Sequence, residues 1–325
     1  MNSALTRRSL LAAAAALALP AMALAALPEA TQLLVPGPAQ SVPARWAARA
    51  AVTMARGLPQ AMPVQVQLLG GPDGVTAANR FATLAALDGG AMLALAGAAA
   101  HARLIGDSRA KFDLATWMPV SGAVRPPILV GRGALPHAGM ARRVGLPAPE
   151  APETAALLAL DLLGVGATPV FGLAGEAAQA ALAHGTVDAI VVPGLASLAP
   201  ALQAQPWLAF SAPESRDPSL AELPVLGQLA GSARAEALAA CRAGMAAAGL
   251  RALLVLPALT PADTVAQWRR AAQRWQEDES RDGETDTRTL APGEAATVLG
   301  LLCPSNAATQ LYRDWLARRL SWRAS

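Results

Sequence analysis

The chain has 325 residues, of which 54% are hydrophobic and 15% charged, so it can build one large or two medium cores and is too apolar to be disordered. The formal net charge of +3 comes almost wholly from arginine, because Lys111 is the only lysine. No arginine cluster with interleaved aromatics lines a face before the extreme C-terminus, which argues against a nucleic-acid partner.

Residues 1–26 read as an export leader. Arg7-Arg8 precede an uncharged run from Ser9 to Ala26, and Ala23-Leu24-Ala25 places small residues at a cleavage site. Thr6-Arg7-Arg8-Ser9-Leu10-Leu11 also fits the twin-arginine motif, so the general secretory and twin-arginine routes both stay open. The run is too short and too rich in alanine for a membrane span, and later apolar stretches are broken by Gly and Pro. The expectation is a soluble protein outside the cytoplasm.

Thr31 to Val35 then reads as a strand, Pro36 to Ser41 as a turn-rich loop, and Pro43 to Met54 as a helix. Pro63 to Leu68 alternates like a half-buried strand, runs into Gly70-Gly71-Pro72-Asp73-Gly74, and is followed by helical spacing from Val75 to Ala86. Repetition of strand, Gly/Pro loop and helix implies a parallel sheet with its loops gathered at the carboxyl edge. Further strands are expected at Ala91–Ala96, Trp117–Val120 and Pro127–Val130, with a connection from Gly131 to Pro152.

Thr154 to Leu163 reads as a helix, and Ala167–Phe171, Gly175–Ala183 and Val187–Val192 as strand, helix and strand, completed by Leu195–Gln203 and Trp207–Phe210. Helices follow at Ala233–Ala248 and Pro261–Gln276, with a strand at Leu250–Leu256 between them; Trp268 and Trp275 are expected in the core. Glu277 to Arg288 reads as a solvated charged loop, and a helix closes the chain from Ala307 to about Trp322. The last strand and helices arrive after a second sheet-forming block, so the chain is expected to cross twice between two α/β lobes. The first lobe would hold residues 27–126 and 247–325, the second residues 127–246, with a cleft at the hinge.

Leu33-Leu34-Val35-Pro36-Gly37-Pro38-Ala39 resembles the opening strand and loop of the Bug family, the extracytoplasmic solute receptors of tripartite tricarboxylate transporters. Gly185-Thr186-Val187-Asp188-Ala189-Ile190, Leu195-Ala196-Ser197-Leu198-Ala199-Pro200, Trp207-Leu208-Ala209-Phe210-Ser211 and Leu223-Pro224-Val225 follow that family's second-lobe motifs in order. Asp88-Gly89-Gly90 and Leu254 to Pro261 add two more matches. The resemblance covers most of residues 31–275. It implies a two-lobed periplasmic-binding-protein fold, type II-like, and a periplasmic receptor that passes a small organic solute, usually a carboxylate, to membrane transporter subunits. It also implies a ligand held by backbone N–H groups of two first-lobe loops. Here those loops are Pro38-Ala39-Gln40-Ser41 and Gly71-Pro72-Asp73-Gly74-Val75-Thr76, with Pro38, Ala39, Gln40, Ser41, Gly71, Asp73, Gly74 and Thr76 as the candidate ligand-binding residues.

The chain departs from the family at these loops. Gln40-Ser41 stands in place of paired glycines and offers side-chain hydrogen bonds instead of close backbone approach. Asp73 replaces a glycine and disfavours a second negative charge, which favours a monocarboxylate or a neutral polar solute unless the carboxylate is turned away or paired. The polar second-lobe stretch corresponds to Gly145 through Glu153, with Pro147, Pro149 and Pro152 in place of donors. These losses keep open a second reading, a receptor fold that no longer binds a transport ligand and acts as a periplasmic sensing or interaction partner.

Catalysis has little support. The sequence lacks a Gly-x-Ser-x-Gly elbow, a Walker loop and a strand-linked Gly-x-Gly-x-x-Gly. His101, His137 and His184 are dispersed without metal-ligand spacing and are expected in ordinary surface or loop roles; no metal or cofactor is expected, and the chain is expected to be a monomer. Glu150 and Glu153 read as a helix-start pair more readily than as an acid and base. The basic, aromatic C-terminal helix is expected to pack on its own lobe. Cys241 and Cys303 could pair in an oxidising compartment or remain two separate thiols.

Overall fold

The computed structural model describes residues 30–58, 62–84, 90–137, 139–195, 198, 202–210, 223–229, 234–282 and 287–324. The expected leader, Asp88-Gly89, Ser211 and most of the Leu195–Pro200 motif lie outside the described residues.

A six-stranded sheet is built from β1 (Thr31–Pro36), β2 (Val64–Leu69), β3 (Ala91–Leu95), β4 (Met118–Val124), β10 (Leu250–Leu256) and β11 (Arg288–Leu290) in the order β11-β4-β10-β3-β1-β2. A five-stranded sheet holds β5 (Pro127–Gly131), β6 (Arg142–Gly145), β7 (Ala167–Val170), β8 (Ala189–Pro193) and β9 (Gln205–Ala209) in the order β7-β6-β8-β5-β9. Both sheets follow one plan. Three parallel strands, β2-β1-β3 and β7-β6-β8, are followed by a strand that enters from the other sheet and runs antiparallel, β10 and β5. A further antiparallel strand, β4 and β9, pairs with that entrant, and the first sheet alone adds β11 outside β4. This is a two-lobed α/β architecture of the type II periplasmic-binding-protein kind.

The inner strands of each sheet are apolar on both faces because helices cover both. On the first sheet, Leu33, Val35 and Leu254 pack beneath α1 (Val42–Gly57) and α8 (Ala262–Asp282), while Leu34, Leu253 and Val255 face α2 (Val75–Thr83), α3 (Gly97–Ile105) and α9 (Pro292–Leu302). Trp46 of α1 meets Trp275 of α8 with ring centroids 4.8 Å apart, and Trp268 is 1% exposed, so the seven-residue tryptophan spacing belongs to the core. Burial of each such side chain contributes on the order of 1.5–3 kcal/mol. In the second sheet Leu129 faces α4 (Ala155–Leu162), whereas Ile128 and Val130 face α5 (Gly175–Ala183). The short helix α6 (Leu226–Leu229) follows β9.

Asp188 of the Gly-Thr-Val-Asp motif accepts the Arg143 backbone N–H at 2.8 Å and pairs with its guanidinium at 3.0 Å. The motif therefore pins the start of β6 to the start of β8, at the amino ends of the parallel strands. β2, expected to be half-buried, is exposed on both faces at Gln65 through Leu68, since it is the edge strand.

The chain passes between the sheets at 124–127 and again where α7 (Ala235–Gly249) runs directly into β10. These crossings touch: the Arg125 N–H donates to the Gly249 carbonyl at 2.8 Å, and a Cβ on Gly249 would lie 2.7 Å from Pro127 Cδ. Helix α7 is buried on several sides, which its Ala/Gly composition permits; a Cβ on Gly244 would come within 2.6 Å of the Ala155 Cβ. The closing helix α10 (Asn306–Leu320) bridges. It packs on α7 and α3, while Trp315 Nε1 donates to Asp161 at 2.9 Å and Arg319 reaches the same carboxylate. Its core partners thus come from both sets of elements rather than from one lobe.

Several elements differ from expectation. The run after Gln276 continues α8 to Asp282 instead of opening a loop, because its charges lie on a helix whose apolar stripe is already anchored by Trp268 and Trp275. α3, α9, β6 and β11 arise where no element was expected. Cys241 is buried, with its thiol donating to the Ala155 carbonyl at 3.3 Å, and Cys303 is half-buried; both are free thiols.

Candidate functional site

The carboxyl end of β1 runs through the cis peptide Gly37–Pro38 into a turn closed by the Ser41 N–H on the Pro38 carbonyl at 2.9 Å. Ser41 is the N-cap of α1, its Oγ accepting from the Ala44 N–H at 3.3 Å. Pro43 has no N–H to offer, and the Arg45 guanidinium is bound to the Gln40 carbonyl. At the end of β2, the Gly74 N–H donates to Gly71 O at 3.2 Å. Asp73 Oδ1 accepts the Val75 N–H at 3.3 Å.

The two loops are in contact. A Cβ on Gly37 would lie 2.7 Å from the Gly70 carbonyl, and Gly70 sits at φ +67° where a Cβ would strike Thr76 at 2.5 Å. Pro38, Ala39, Gln40, Gly71 and Thr76 are exposed, Ser41 and Asp73 half-buried, and Gly74 buried. Asp73 is paired: Arg109 Nη1 stands 3.0 Å from its Oδ2 while Nη2 of the same guanidinium holds Asp107 at 2.6 Å.

Asp73 also lines a cavity of about 450 Å³ between the elements of the two sheets, facing Glu150, Pro152, His101 and Trp322. Here the structure corrects the reading of His101, which is 1% exposed inside α3. Its Nε2 lies 3.3 Å from the Tyr312 hydroxyl. Burial pushes its pKa down to about 4, against the opposing pull of a hydrogen bond to the Glu150 backbone. Burial likewise pushes the Tyr312 phenol upward, so the pair is uncharged at neutral pH.

A second cavity, of about 170 Å³, opens at the carboxyl ends of β6 and β8, beside the start of α5 and against both crossings. Gly145, Pro147 and Glu153 of the second-lobe stretch line it, together with Gln179, Val192, Pro127 and Arg251. Arg251 occupies a register shift between Leu250 and Ala252 of β10, a bulge of the kind that re-aims a side chain. Burial pushes the Glu153 carboxyl above the usual range and the Arg251 charge pulls it back. Neither Arg251 nor Gln179 stood out in the sequence; the available signal was a lone arginine at the head of the apolar run Leu250 to Leu256.

Among the described residues no group of His, Cys, Asp and Glu could hold a metal ion, and no helix is long and apolar enough to cross a membrane. No family model matches the chain, and no curated protein matches its sequence. Solved structures do match. A TctC solute-binding protein from Polaromonas, without ligand, aligns at TM-score 0.65 and 17% identity over 89% of this chain and 98% of that one. MatC from Rhodopseudomonas palustris with bound malate aligns at TM-score 0.53 and 21% identity over 88% of this chain and 98% of that one. The periplasmic binding protein BugD aligns at TM-score 0.51 and 18% identity over 88% and 98%. The chain carries the two-lobed periplasmic-binding-protein fold that these solute receptors share.

Proposed function

We propose that the chain is a divergent Bug-type receptor, exported to the periplasm, that captures a small carboxylate-type metabolite in the cleft between its lobes for a tripartite tricarboxylate transporter. It acts by binding, not by catalysis. The lobes in this reading are residues 27–126 with 247–325, and residues 127–246. The observation that carries it is the repeated sheet plan: two sheets that share a five-strand order, the first with β11 added at its edge, joined by adjacent crossings, with the loops of their parallel strands at the carboxyl edges where ligands of open α/β folds sit. MatC, of the same fold, was solved with malate.

The ligand would meet Pro38 to Ser41 and Gly71 to Thr76. A second reading has its own support. Ser41 Oγ and Asp73 Oδ1 each take up a first-turn N–H, and Pro43 lacks one, so the loops have fewer donors for an anion than two open helix starts would. That favours a receptor fold turned to sensing or protein interaction. Calorimetric titration of the purified chain and its Ser41→Leu variant with mono-, di- and tricarboxylates separates the two. The transport reading expects saturable binding by the parent and its loss in the variant; no heat from any acid supports the interaction reading.

A further inference from the structure

We infer that two copies of this chain pair through the open edge of the first sheet, β2 against β2 of the second copy, antiparallel about a two-fold axis at Val66. One sheet then runs through both molecules. The inference does not depend on the receptor reading and departs from the expected monomer.

Among the described strands, the two sheets have four edges, and three of them are blunted. β11 is three residues long and begins with Arg288, and β7 is four residues long with Pro169 in it. β9 carries Pro206 and is met by Val225 at Ala209. Short length, charge, proline and cover are the devices that keep a sheet edge from pairing with another chain. β2 has none of them: it is six residues long, without charge or proline, and Val66 is 40% and Leu68 44% exposed.

The backbone decides which groups are open. The Thr31 N–H donates to the Pro63 carbonyl at 3.1 Å. In a parallel pair alternate residues turn their N–H and C=O to the same neighbour, so Gln65 and Gln67 bond to β1. Val64, Val66 and Leu68 turn theirs outward, where no described strand lies. What selects a second copy as the occupant is that Val64-Gln65-Val66-Gln67-Leu68 reads nearly the same in both directions about Val66. With Val66 opposite Val66 of the second copy and Val64 opposite its Leu68, each of the three pairs can exchange two N–H···O bonds. Val66 and Leu68 share the α1 face with their register partners Leu33 and Val35, so apolar side chains oppose apolar ones there. On the other face Gln65 opposes Gln67, and no like charges meet. A two-fold contact of this kind is self-complementary and closed. Being one strand wide, it belongs with the weak, reversible interfaces.

The test is sedimentation velocity of the purified chain from about 1 to about 500 µM, where the mass should rise toward twice that of the monomer. Val66→Pro removes an outward N–H from each copy without touching the β1 ladder, and should weaken association at least about tenfold. The register is read by charge. Gln65→Lys with Gln67→Lys sets like charges opposite each other and should weaken association about tenfold, whereas Gln65→Lys with Gln67→Glu sets opposite charges there and should keep or strengthen it. If Val66→Pro does not fold by far-UV circular dichroism, the two charge variants carry the test. A parent that stays monomeric over the whole range, a folded Val66→Pro variant that associates like the parent, or equal association of the two charge variants overturns the inference.

Discussion

His101 sits neutral between the Tyr312 hydroxyl and the Glu150 backbone, and its ionisation is linked to folding. The unfolded chain takes up that proton near pH 6.5, whereas the folded chain resists it until about pH 4. Stability is therefore full above pH 6.5 and falls as the pH drops through this window, by up to about 3 kcal/mol. Urea titrations at pH 7.5 and pH 4.5 should show this loss, and His101→Gln should reduce the difference between the two conditions. An equal pH effect in parent and variant would assign it to the carboxylates. The sequence placed His101 outside the core because a lone histidine in an alanine-rich stretch shows no sign of its distant partners; Tyr312 is separated from it by 211 residues. Asp73 was legible as a loop residue but not as a paired one, since Arg109 reaches it from beyond β3. Asp73→Gly removes the bond to the Val75 N–H and should cost about 0.5–1 kcal/mol in urea unfolding. The exposed ion pair itself adds at most about 1 kcal/mol. The same change removes a negative charge near the proposed site, so titration should show tighter binding of di- and tricarboxylates. Unchanged affinity would place those ligands away from the loop.

Elements with a clear period were readable. β1, β10, α5 and α7 lie within a residue or two of where apolar spacing put them. The misses follow from two causes. α3 is alanine-rich and buried on most sides, so it has no polar face to reveal a 3.6-residue period, and the solvent face of α9, Gly293, Ala296, Thr297 and Gly300, carries small residues without charge. β6 is four residues long and begins with Arg142-Arg143, a pair that reads as loop until Asp188 is seen to bind it. Contact between the two crossings was also invisible, as it depends on Gly249 having no Cβ. Gly249→Ala puts a methyl 2.7 Å from Pro127 Cδ and 2.8 Å from the Arg125 carbonyl. Backbone and a proline ring cannot yield as a flexible side chain would, so the cost should be about 1–3 kcal/mol in urea unfolding. A variant as stable as the parent would mean that the crossings separate freely.

On the scale of the molecule, one sheet plan is used twice, and each copy borrows its antiparallel strand from the chain as it passes over from the other. The two crossings lie side by side, and α10 with the His101–Tyr312 contact adds a second connection between the elements of the two sheets. The ordered motifs from Leu33 to Pro261 made this architecture legible from sequence. They could not give the ligand, since the Gly-Thr-Val-Asp motif proves structural and the polar side chains of the 170 Å³ cavity come from three separate elements. The central claim is that the chain captures a small carboxylate, and the most direct measurement is a thermal-shift screen of the purified protein against mono-, di- and tricarboxylates. A ligand at about 100 times its Kd adds roughly 2.7 kcal/mol to the native state, a rise of several degrees in Tm. The account predicts such a rise for at least one small carboxylate, saturating with concentration; a Tm that no carboxylate moves at millimolar concentration would contradict it.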